Sequence, residues 1–408
     1  MTGSSLGQIL REDFDRLARS QGLPFRVHRA AKMMMRCRTA ALGGHVQCCR
    51  NGHVVGVHYN SCRHRSCPQC SHRDQSRWSE LQASRLLACD HYHVIFTLPH
   101  ELNDLWSWNR SLMMDLLFAA ASQSMSQLLR DSRFLGARPG MILSLHTWGR
   151  TLTQHPHVHA LISAGGLDDS GEWRSSRADY LVPVKALKPI YRGKFLDALE
   201  QSLTRGRLTL PTGMTTSQAK ALLKRTSRKP WNIRIQSRYR HGRGVMQYLA
   251  RYVRGGPIRN QQLQRVDSDT VSFSYRDHRD RCRKSMTLTR SVFLQRLFWH
   301  VPVPGKHTTR YYGLYRPQEK SGRERCRRLL GQRPERKQPS RPTWQQWLAQ
   351  KGLGKLAQCK HCGAEILARA AVPTEDPDRT MSIASGPRSG FVQQAVGADN
   401  SSAPGRRR

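Results

Sequence analysis

The sequence predicts an α+β fold in which several short strands, expected to form a sheet, combine with long helices. Short apolar runs at 93–98, 141–148 and 157–164 have the length of strands, and a short polar turn joins the last two. Residues 104–131 instead carry apolar positions at the spacing of a long helix. A cysteine-rich stretch precedes these elements and a basic end follows them. A small metal-stabilised module and a tail are therefore expected on either side of the sheet.

Four segments are predicted along the 408 residues. Residues 1–90 are expected to form a helical and metal-binding N-terminal domain, and residues 91–315 to form the domain that contains the sheet. Residues 316–370 form a basic segment with a pair of cysteines. Residues 371–408 are rich in proline, serine, glycine and aspartate, and this composition predicts a disordered tail because it offers little apolar surface to bury.

Residue periodicity predicts the remaining elements. Helices are predicted at 8–35, 73–90, 243–254 and 291–300, with a helical bias over 181–230. The runs VSFSY at 271–275 and MTLT at 286–289 predict a hairpin around a charged turn. Gly165 and Gly166 predict a loop after the strand at 157–164.

The excess of basic residues predicts a polyanionic partner. The chain has 68 Lys and Arg against 28 Asp and Glu, a formal net charge of +40. Arginines recur through 225–296, where helices and strands are also predicted, so the charge is not confined to the tail. A compact chain with this charge repels itself unless a polyanion screens it, and nucleic acid is the obvious one. The alternative that the charge leaves open is a basic ribosome-associated protein.

The sequence contains no signal for a membrane. It has no apolar run long enough to span a bilayer, and charges interrupt the N-terminal stretch where a signal peptide needs an apolar segment. We therefore expect a cytoplasmic protein that associates with the nucleoid and has no membrane partner. Self-association into a homo-oligomer is left open by the sequence.

Closely spaced cysteines predict a zinc ribbon. Six of the 11 cysteines lie within residues 37–70, and in a reducing compartment they suit metal binding better than disulfides. Cys67-Pro-Gln-Cys70 is a tight chelating turn, and Cys49-Arg-Asn-Gly-His53 offers a second ligand pair. Two such turns satisfy a tetrahedral zinc ion. The expected zinc ligands are therefore Cys49, His53, Cys67 and Cys70.

Other cysteines leave the number of zinc sites open. Cys37, Cys48 and Cys62 are further candidate ligands, because either some cysteines do not bind metal or a second site exists. Cys359-Lys-His-Cys362 repeats the half-ribbon pattern near the C-terminus without an evident second pair, so a metal site and a relic of one are equally compatible with it.

The run His-Pro-His-Val-His-Ala-Leu at 155–161 predicts a divalent-ion site. Side chains alternate along a strand, so His157 and His159 lie on one face, about 7 Å apart, and can chelate one ion. A third ligand is needed, and His155 is the nearest candidate. Three other residues stay open for this role: His100, His146 and Gln154.

Two tyrosines on the predicted helix 243–254 are candidate nucleophiles. Tyr248 and Tyr252 are four residues apart and share one helical face. A tyrosine hydroxyl, with a pKa near ~10, needs a base, cation or metal to become a nucleophile. Taken alone, these tyrosines fit an apolar stripe that packs on a core. The histidine pair and the charge favour the catalytic interpretation. The arginines that could hold phosphate beside them are Arg243, Arg251 and Arg254.

Together these motifs resemble the insertion-sequence ninety-one family of transposases, which are two-tyrosine members of the HUH superfamily. The matching runs occur in the family's order over about 37–315: SCRHRSCPQC, VIFTLPHEL, HPHVHALISAGG, YLARYV, VSFSYRD and HVPVPGKHTTRYYGLY. The resemblance implies an HUH-type central antiparallel sheet, Mg or Mn held by His157 and His159, and nucleophilic Tyr248 and Tyr252. It implies rolling-circle-like transposition, in which single-stranded DNA is cut and rejoined through 5′-phosphotyrosine intermediates without a DDE carboxylate triad.

The chain departs from the family in the zinc module. Many relatives carry a C-x-x-C pair where this sequence has Cys48-Cys49 and then Gly52-His53, which leaves the first zinc pair in question. Three aromatic residues are candidates for stacking on a single strand: Trp148, Trp231 and Tyr239.

Three other functions share part of the pattern. A plasmid or phage replication initiator uses the same HUH chemistry, but the motif order and the zinc module favour a transposase. A histidine-triad nucleotide hydrolase has a similar histidine run, but Pro156 fits poorly where that fold expects an apolar strand residue. In a non-catalytic zinc DNA-binding protein, the tyrosines would be core residues.

Overall fold

The computed structural model describes residues 5–177, 179–240, 256–277, 280, 282–335 and 342–374. In this part of the chain the strands form three sheets, all paired antiparallel, and helices pack against them. This arrangement confirms the predicted α+β class.

Two helices open the chain where one long helical segment was predicted. Helix α1 spans Leu6–Ser20, and Ser5 caps it by accepting a hydrogen bond from the Gln8 amide. Helix α2 spans Phe25–Met35. Pro24 stands at the N-cap of α2, where its missing N–H costs no helical hydrogen bond, and it separates the two helices.

A small sheet joins the two ends of the described chain. Strands β1 (Gly44–Cys49) and β2 (Val54–Tyr59) form a hairpin. The last strand, which we call β12 (Ile366–Val372), pairs with the free edge of β1, so the strand order is β12-β1-β2. Helix α3 (His72–Arg85) then leads into the central sheet.

The central sheet contains the predicted strands at 93–98, 141–148 and 157–164. They are β3 (His91–Thr97), β4 (Arg138–Trp148) and β5 (Gln154–Leu167). The order is β11-β4-β5-β3-β7, with β6 paired to the end of β5. The remaining strands are β6 (Trp173–Ser175), β7 (Ile233–Ile235) and β11 (Thr309–Gly313).

Helices cover one face of the central sheet. They are α4 (Asn103–Trp108), α5 (Arg110–Arg130), α6 (Val184–Thr204) and α7 (Thr216–Ser227). Alternate residues of β5, among them Val158, Ala160 and Ile162, are fully buried against these helices. The predicted helix 104–131 is interrupted at Asn109, whose side chain bonds both the Leu105 carbonyl and the backbone of Thr209.

A third sheet packs on the N-terminal helices. Strands β9 (Thr270–Arg276) and β10 (Arg283–Thr289) form the predicted hairpin, and β8 (Leu263–Val266) pairs with β9. The predicted helix at 291–300 is α8 (Arg290–Phe298). Two further helices follow, α9 (Lys320–Leu329) and α10 (Trp344–Gln350).

The hydrophobic packing crosses the predicted segment boundaries. One core contains α1 and α2 together with Val271, Phe273 and Phe293 from the third sheet and α8. A second connection between the predicted segments is the pairing of the C-terminal strand β12 with β1 of the N-terminal segment. The division into 1–90, 91–315 and 316–370 stays a prediction, and the described packing joins residues across both of its inner boundaries.

Gly165 and Gly166 lie inside β5, not in the predicted loop. Strand β6 pairs with this end of β5, so the ladder continues through both glycines. A Cβ on Gly165 would lie 2.3 Å from the Trp173 ring, and one on Gly166 would lie 2.4 Å from the Arg138 carbonyl oxygen. The glycines are therefore required by close approach within the sheet, which local turn propensity does not distinguish from a loop.

Among the described residues, no helix is both long and apolar enough to cross a membrane.

Replacing Gly166 by alanine is expected to destabilise the protein by about 1–3 kcal/mol, because the added methyl group meets backbone atoms that cannot move without separating β4 from β5. Urea denaturation measures the loss. Gly193→Ala is the matched control, since that glycine lies in α6 with no atom near its added Cβ, and alanine favours a helix by about 0.5–1 kcal/mol. Equal stability of the two variants would contradict the expectation.

The ion pair between Arg290 and Asp13 is expected to hold α8 to α1. Their side chains are 7% and 9% exposed, and Nε lies 2.5 Å from the carboxylate. Arg290→Met leaves a buried carboxylate without this partner, so urea denaturation should give a loss of about 3–5 kcal/mol. Arg16→Met removes another arginine from Asp13, but Arg16 is 70% exposed and its loss should cost under about 1 kcal/mol. A larger loss from Arg16→Met would overturn this assignment.

Candidate active site

Three histidines converge on the face of the central sheet opposite to α5 and α6. His146 of β4 pairs directly with His157 of β5, and His159 follows two residues along the same strand. Their candidate ligand nitrogens all lie within 4.8 Å of one another, and the His146 and His159 ring centroids are 4.0 Å apart. We call these three residues the histidine cluster. The predicted shared face of His157 and His159 is therefore present in the structure.

The third histidine is His146, in place of the predicted His155. An extra residue in β5, between the pairs His146–His157 and Trp148–Gln154, disturbs the alternation, and the His155 side chain is exposed outside the cluster. The neighbouring strand supplies the third imidazole instead. Its position depends on the register between β4 and β5, which the sequence alone does not specify.

The other two candidates for the third ligand lie elsewhere. The His100 side chain is 84% exposed and lies beside Glu101. The Gln154 side chain accepts a hydrogen bond from the Ser107 hydroxyl at 3.0 Å.

Two contacts orient the imidazoles of the cluster. Nε2 of His93, on β3, lies 2.7 Å from Nδ1 of His159. Nδ1 of His157 lies 2.6 Å from the His155 carbonyl oxygen and donates to it. Both contacts engage Nδ1, and contacts of this kind orient the imidazoles of a metal site. His93 was not predicted as a site residue. The sequence marks it only by its place at the start of the predicted strand, where it shares one face of the strand with His91.

Burial keeps these histidines neutral. It lowers the pKa of His157 to about 3 and that of His93 to about 4. Burial, followed by the neighbouring imidazoles, lowers the pKa of His146 and of His159 well below the usual range. At neutral pH all four rings are therefore in the unprotonated form that binds metal ions.

The donor set fits a divalent transition-metal ion. Three neutral imidazoles on a rigid sheet leave coordination positions for other ligands, as catalytic metal sites do. Imidazole nitrogen suits transition metals, whereas Mg prefers oxygen ligands and ordered water.

A pocket with aromatic and basic walls adjoins the histidine cluster. The Trp148 ring stacks on His146, with centroids 5.8 Å apart and planes 11° from parallel. The Arg110 guanidinium lies in the same pocket, and burial lowers its pKa to about 10, so it stays charged. The side chains around the pocket include Arg65, Trp106, Arg110, Trp148, Trp299 and His300.

Only one of the three predicted stacking residues lines this pocket, and it is Trp148. Trp231 is 1% exposed and packs in the main core, where its indole N–H donates to the Thr226 carbonyl, so the stacking prediction is wrong for it. Tyr239 is half-buried, and its ring centroid lies 6.4 Å from that of His93.

The predicted nucleophiles lie outside the described residues. Tyr248 and Tyr252 belong to 241–255, as do the predicted phosphate-binding residues Arg243, Arg251 and Arg254. Two described residues that flank this segment in the sequence lie close to the histidine cluster or its pocket. Tyr239 lies beside His93, and Gly256 lines the same pocket as Trp148.

The structure divides the predicted zinc ligands between two groups. Cys67 and Cys70 lie with Cys37 and Cys62, and these four residues form the first cysteine cluster. Cys49 and His53 lie with the C-terminal pair Cys359 and Cys362, and these four form the second cysteine cluster. In each cluster the candidate ligand atoms are within 4.8 Å of one another.

The predicted set Cys49, His53, Cys67 and Cys70 is thus not brought together. The prediction combined the two ligand pairs that are nearest in sequence. The residues that lie with Cys49 and His53 are Cys362 and Cys359, which are more than 300 residues away. Cys48 belongs to neither group, because adjacent residues of β1 point to opposite faces of the strand.

Comparison with known proteins agrees with these features. A family model described as "Transposase zinc-binding domain" matches residues 9–98, which include the whole first cysteine cluster. A second model, described as "Putative transposase", matches residues 140–323, which include the histidine cluster.

One solved structure with a weak likeness is the conjugative relaxase TrwC in complex with oriT DNA, in its metal-bound form. It aligns with 39% of this chain and 70% of its own at 16% identity, with a TM-score of 0.23. At this TM-score the fold is better described by the strand order and register given above.

Two relatives align with most of the chain. The transposase for insertion sequence element IS801 of Pseudomonas savastanoi pv. phaseolicola is 32% identical over 288 residues, which cover 69% of this chain and 68% of that protein. The protein described as "Putative transposase y4qJ" of Sinorhizobium fredii is 33% identical over 305 residues, which cover 72% of this chain and 76% of that protein. With a zinc-binding domain and a transposase domain in this order, the chain belongs to the insertion-sequence ninety-one family of transposases.

Proposed function

We propose that this transposase cuts and rejoins single-stranded DNA by tyrosine attack on a phosphate held at the histidine cluster. The observation that carries the proposal is the convergence of His146, His157 and His159 on one face of a rigid sheet, with all three rings kept neutral by burial. Neutral imidazoles are suited to a metal ion, because they offer lone pairs and no charge of their own. When bound, a divalent ion would neutralise charge on the scissile phosphate and orient it.

The covalent step is assigned to Tyr248 and Tyr252. A tyrosine oxygen attacks phosphorus and loses its proton, and the bond between phosphorus and the 3′-oxygen breaks as that oxygen gains a proton. The products are a 5′-phosphotyrosine and a free 3′-hydroxyl. One phosphodiester is exchanged for another, so the reverse attack by a 3′-hydroxyl rejoins DNA without ATP. A second tyrosine permits a second cleavage before the first link is resolved.

The described residues around the cluster have positioning roles in this mechanism. His93 fixes the ring of His159 through its Nδ1, and the His155 carbonyl fixes the ring of His157 in the same way. Fixed imidazoles keep the site in one geometry, so little reorganisation is needed when the strand binds.

The aromatic pocket is proposed to receive the single strand beside the scissile phosphate. Trp148 offers a face on which a base stacks, and it is in ring contact with His146 of the cluster. Arg65 and Arg110 line the same pocket and offer cationic groups for the backbone. A duplex offers no free base face for such stacking, because its bases are stacked on each other. We therefore propose a preference for single-stranded over double-stranded DNA.

The zinc of the N-terminal domain is assigned to the first cysteine cluster. Cys37, Cys62, Cys67 and Cys70 offer four sulfur ligands, and a closed four-cysteine set is a structural zinc site. Arg65 lies between these ligands in sequence and reaches the Thr308 hydroxyl at 3.3 Å in the wall of the aromatic pocket. The zinc would thus hold part of the DNA-binding pocket in place.

His146→Ala is expected to lower the affinity for Mn by at least about 100-fold, because it removes one of three ligands of the ion. Metal-dependent cleavage should fall by a similar factor. His155→Ala is the control: its imidazole lies outside the cluster, so Mn affinity and cleavage should stay near wild type. Calorimetric titration with Mn measures the affinity. If His155→Ala loses Mn and His146→Ala keeps it, the assignment of the third ligand is refuted.

A covalent-trapping assay tests the nucleophiles. Labelled single-stranded DNA from the ends of the element is incubated with the protein and Mn, and adducts that resist denaturation are counted. Each of the variants Tyr248→Phe and Tyr252→Phe should keep an adduct, and the double variant should lose it. Tyr239→Phe, which lies beside His93 but outside the tyrosine pair, is the control and should keep it. If wild type forms no adduct on DNA that it binds, the protein is a zinc-dependent DNA-binding protein and the proposal fails.

A further inference from the structure

We propose that the chain holds a second structural zinc ion, bound by Cys49 and His53 of the N-terminal module and by Cys359 and Cys362 near the C-terminus. This ion would fasten the C-terminal strand β12 to the N-terminal sheet. The site is separate from the histidine cluster and from the first cysteine cluster. Cys359 and Cys362 also lie beyond residues 9–98 and 140–323, to which the family domains are matched.

The distances between the four residues match a zinc tetrahedron. Cys49 Sγ lies 3.7 Å from Cys362 Sγ and 3.4 Å from His53 Nδ1, and Cys359 Sγ lies 3.9 Å from the same nitrogen. Zinc–sulfur bonds of about 2.3 Å at tetrahedral angles separate two ligand sulfurs by about 3.8 Å. Three sulfurs and one imidazole nitrogen are a regular zinc donor set, softer than the three imidazoles of the histidine cluster.

Two tight turns present the ligands in pairs. On the N-terminal side, the Cys49 amide donates to the His53 carbonyl and the Gly52 amide donates to the Cys49 carbonyl. On the C-terminal side, the Gly363 amide donates to the Cys359 carbonyl, and the Cys359 amide donates to the Ala364 carbonyl. Gly52 and Gly363 both have positive φ, at 88° and 71°, which glycine adopts without strain. Each turn folds its two ligand side chains toward the same point.

A disulfide does not explain this convergence. Bonded sulfurs are about 2.05 Å apart, far closer than the 3.7 Å between Cys49 and Cys362. A disulfide would also leave His53 and Cys359 without a reason to point at the same place. Four ligand atoms within 4.8 Å of each other are better explained by one shared ion.

The small sheet needs such an ion because it has little apolar core. Val54, Val55 and Val57 of β2 are 67%, 40% and 48% exposed, whereas Ile366 is the buried apolar residue of β12. The ion pair between Arg50 and Glu365 adds little, since its side chains are 66% and 40% exposed. Side-chain burial and surface charge therefore add little to the backbone ladder that pairs β12 with β1. Metal binding supplies folding free energy directly, because the site does not exist in the unfolded chain.

Zinc content tests the proposal. Purified wild type and variants are dialysed against metal-free buffer, and zinc per chain is measured by elemental analysis. Cys362→Ser should contain one zinc fewer than wild type, whatever the histidine cluster binds. Cys362 is exposed, so its replacement does not endanger the core. Cys48→Ser is the matched control, because Cys48 precedes Cys49 on β1 but belongs to neither cluster. It should keep the wild-type zinc content.

Hydrogen exchange shows which part of the structure depends on the second zinc ion. In Cys362→Ser the amides of β12 should exchange faster, while those of β4 and β5 should exchange as in wild type. The ligand-preserving variant Cys362→His should keep the zinc and the protection of β12. The proposal is overturned if Cys362→Ser keeps its full zinc content, or if Cys48→Ser loses as much zinc. These measurements do not depend on DNA cleavage, so they stand apart from the test of the tyrosine mechanism.

Discussion

The register between β4 and β5 is the constraint on which the rest of the site depends. It places His146 opposite His157, and it also fixes which residues of β5 face the helices. Val158 and Ile162 are buried in the core because His157 and His159 alternate with them on the same strand. A shift of one residue would bury the histidines among apolar side chains and expose the core residues. The packing of the core thus enforces the geometry of the histidine cluster, and the close contact at Gly166 restricts the register further.

The N-terminal zinc-binding module and the aromatic pocket beside the histidine cluster are parts of one packing unit. Helices α1 and α2 share a core with β9 and α8, and Arg290 joins α8 to Asp13 through a buried ion pair. Residues between the ligands of the first cysteine cluster extend from this core to the aromatic pocket, where Arg65 and Ser66 form part of the wall. A Cβ on Gly256 would lie 2.6 Å from the Ser66 carbonyl oxygen, so the two backbones are in direct contact. Loss of the first zinc would therefore alter the pocket and not only a peripheral domain.

Local patterns predicted much of the fold and only part of the site. Alternation was enough to place His157 and His159 on one face, and the charged turn between VSFSY and MTLT was enough to predict the β9–β10 hairpin. The third histidine could not be chosen, since His146 becomes a neighbour only through strand pairing and a bulge. The grouping of the cysteines into two clusters could not be predicted for a similar reason. Cys49 and Cys362 are 313 residues apart, and their spacing carries no local signal. The interruption of the long helix at Asn109 likewise depends on contacts with distant Thr209.

The three ligand clusters differ in the number and type of their donor atoms, and this difference distinguishes a structural metal site from a catalytic one. The two cysteine clusters each offer four donors, three or four of them sulfur, and such sets complete the coordination of zinc. The histidine cluster offers three nitrogens, so an ion bound there would keep open coordination positions and would remain reactive. Because sulfur and nitrogen donors select metals differently, zinc can occupy the structural sites while another divalent ion serves the open one. The same division explains why the cysteine clusters lie where chain segments meet, whereas the histidines lie on the rigid centre of a sheet. A structural ion holds chain segments together, whereas a catalytic ion needs a fixed position that does not change when those segments move.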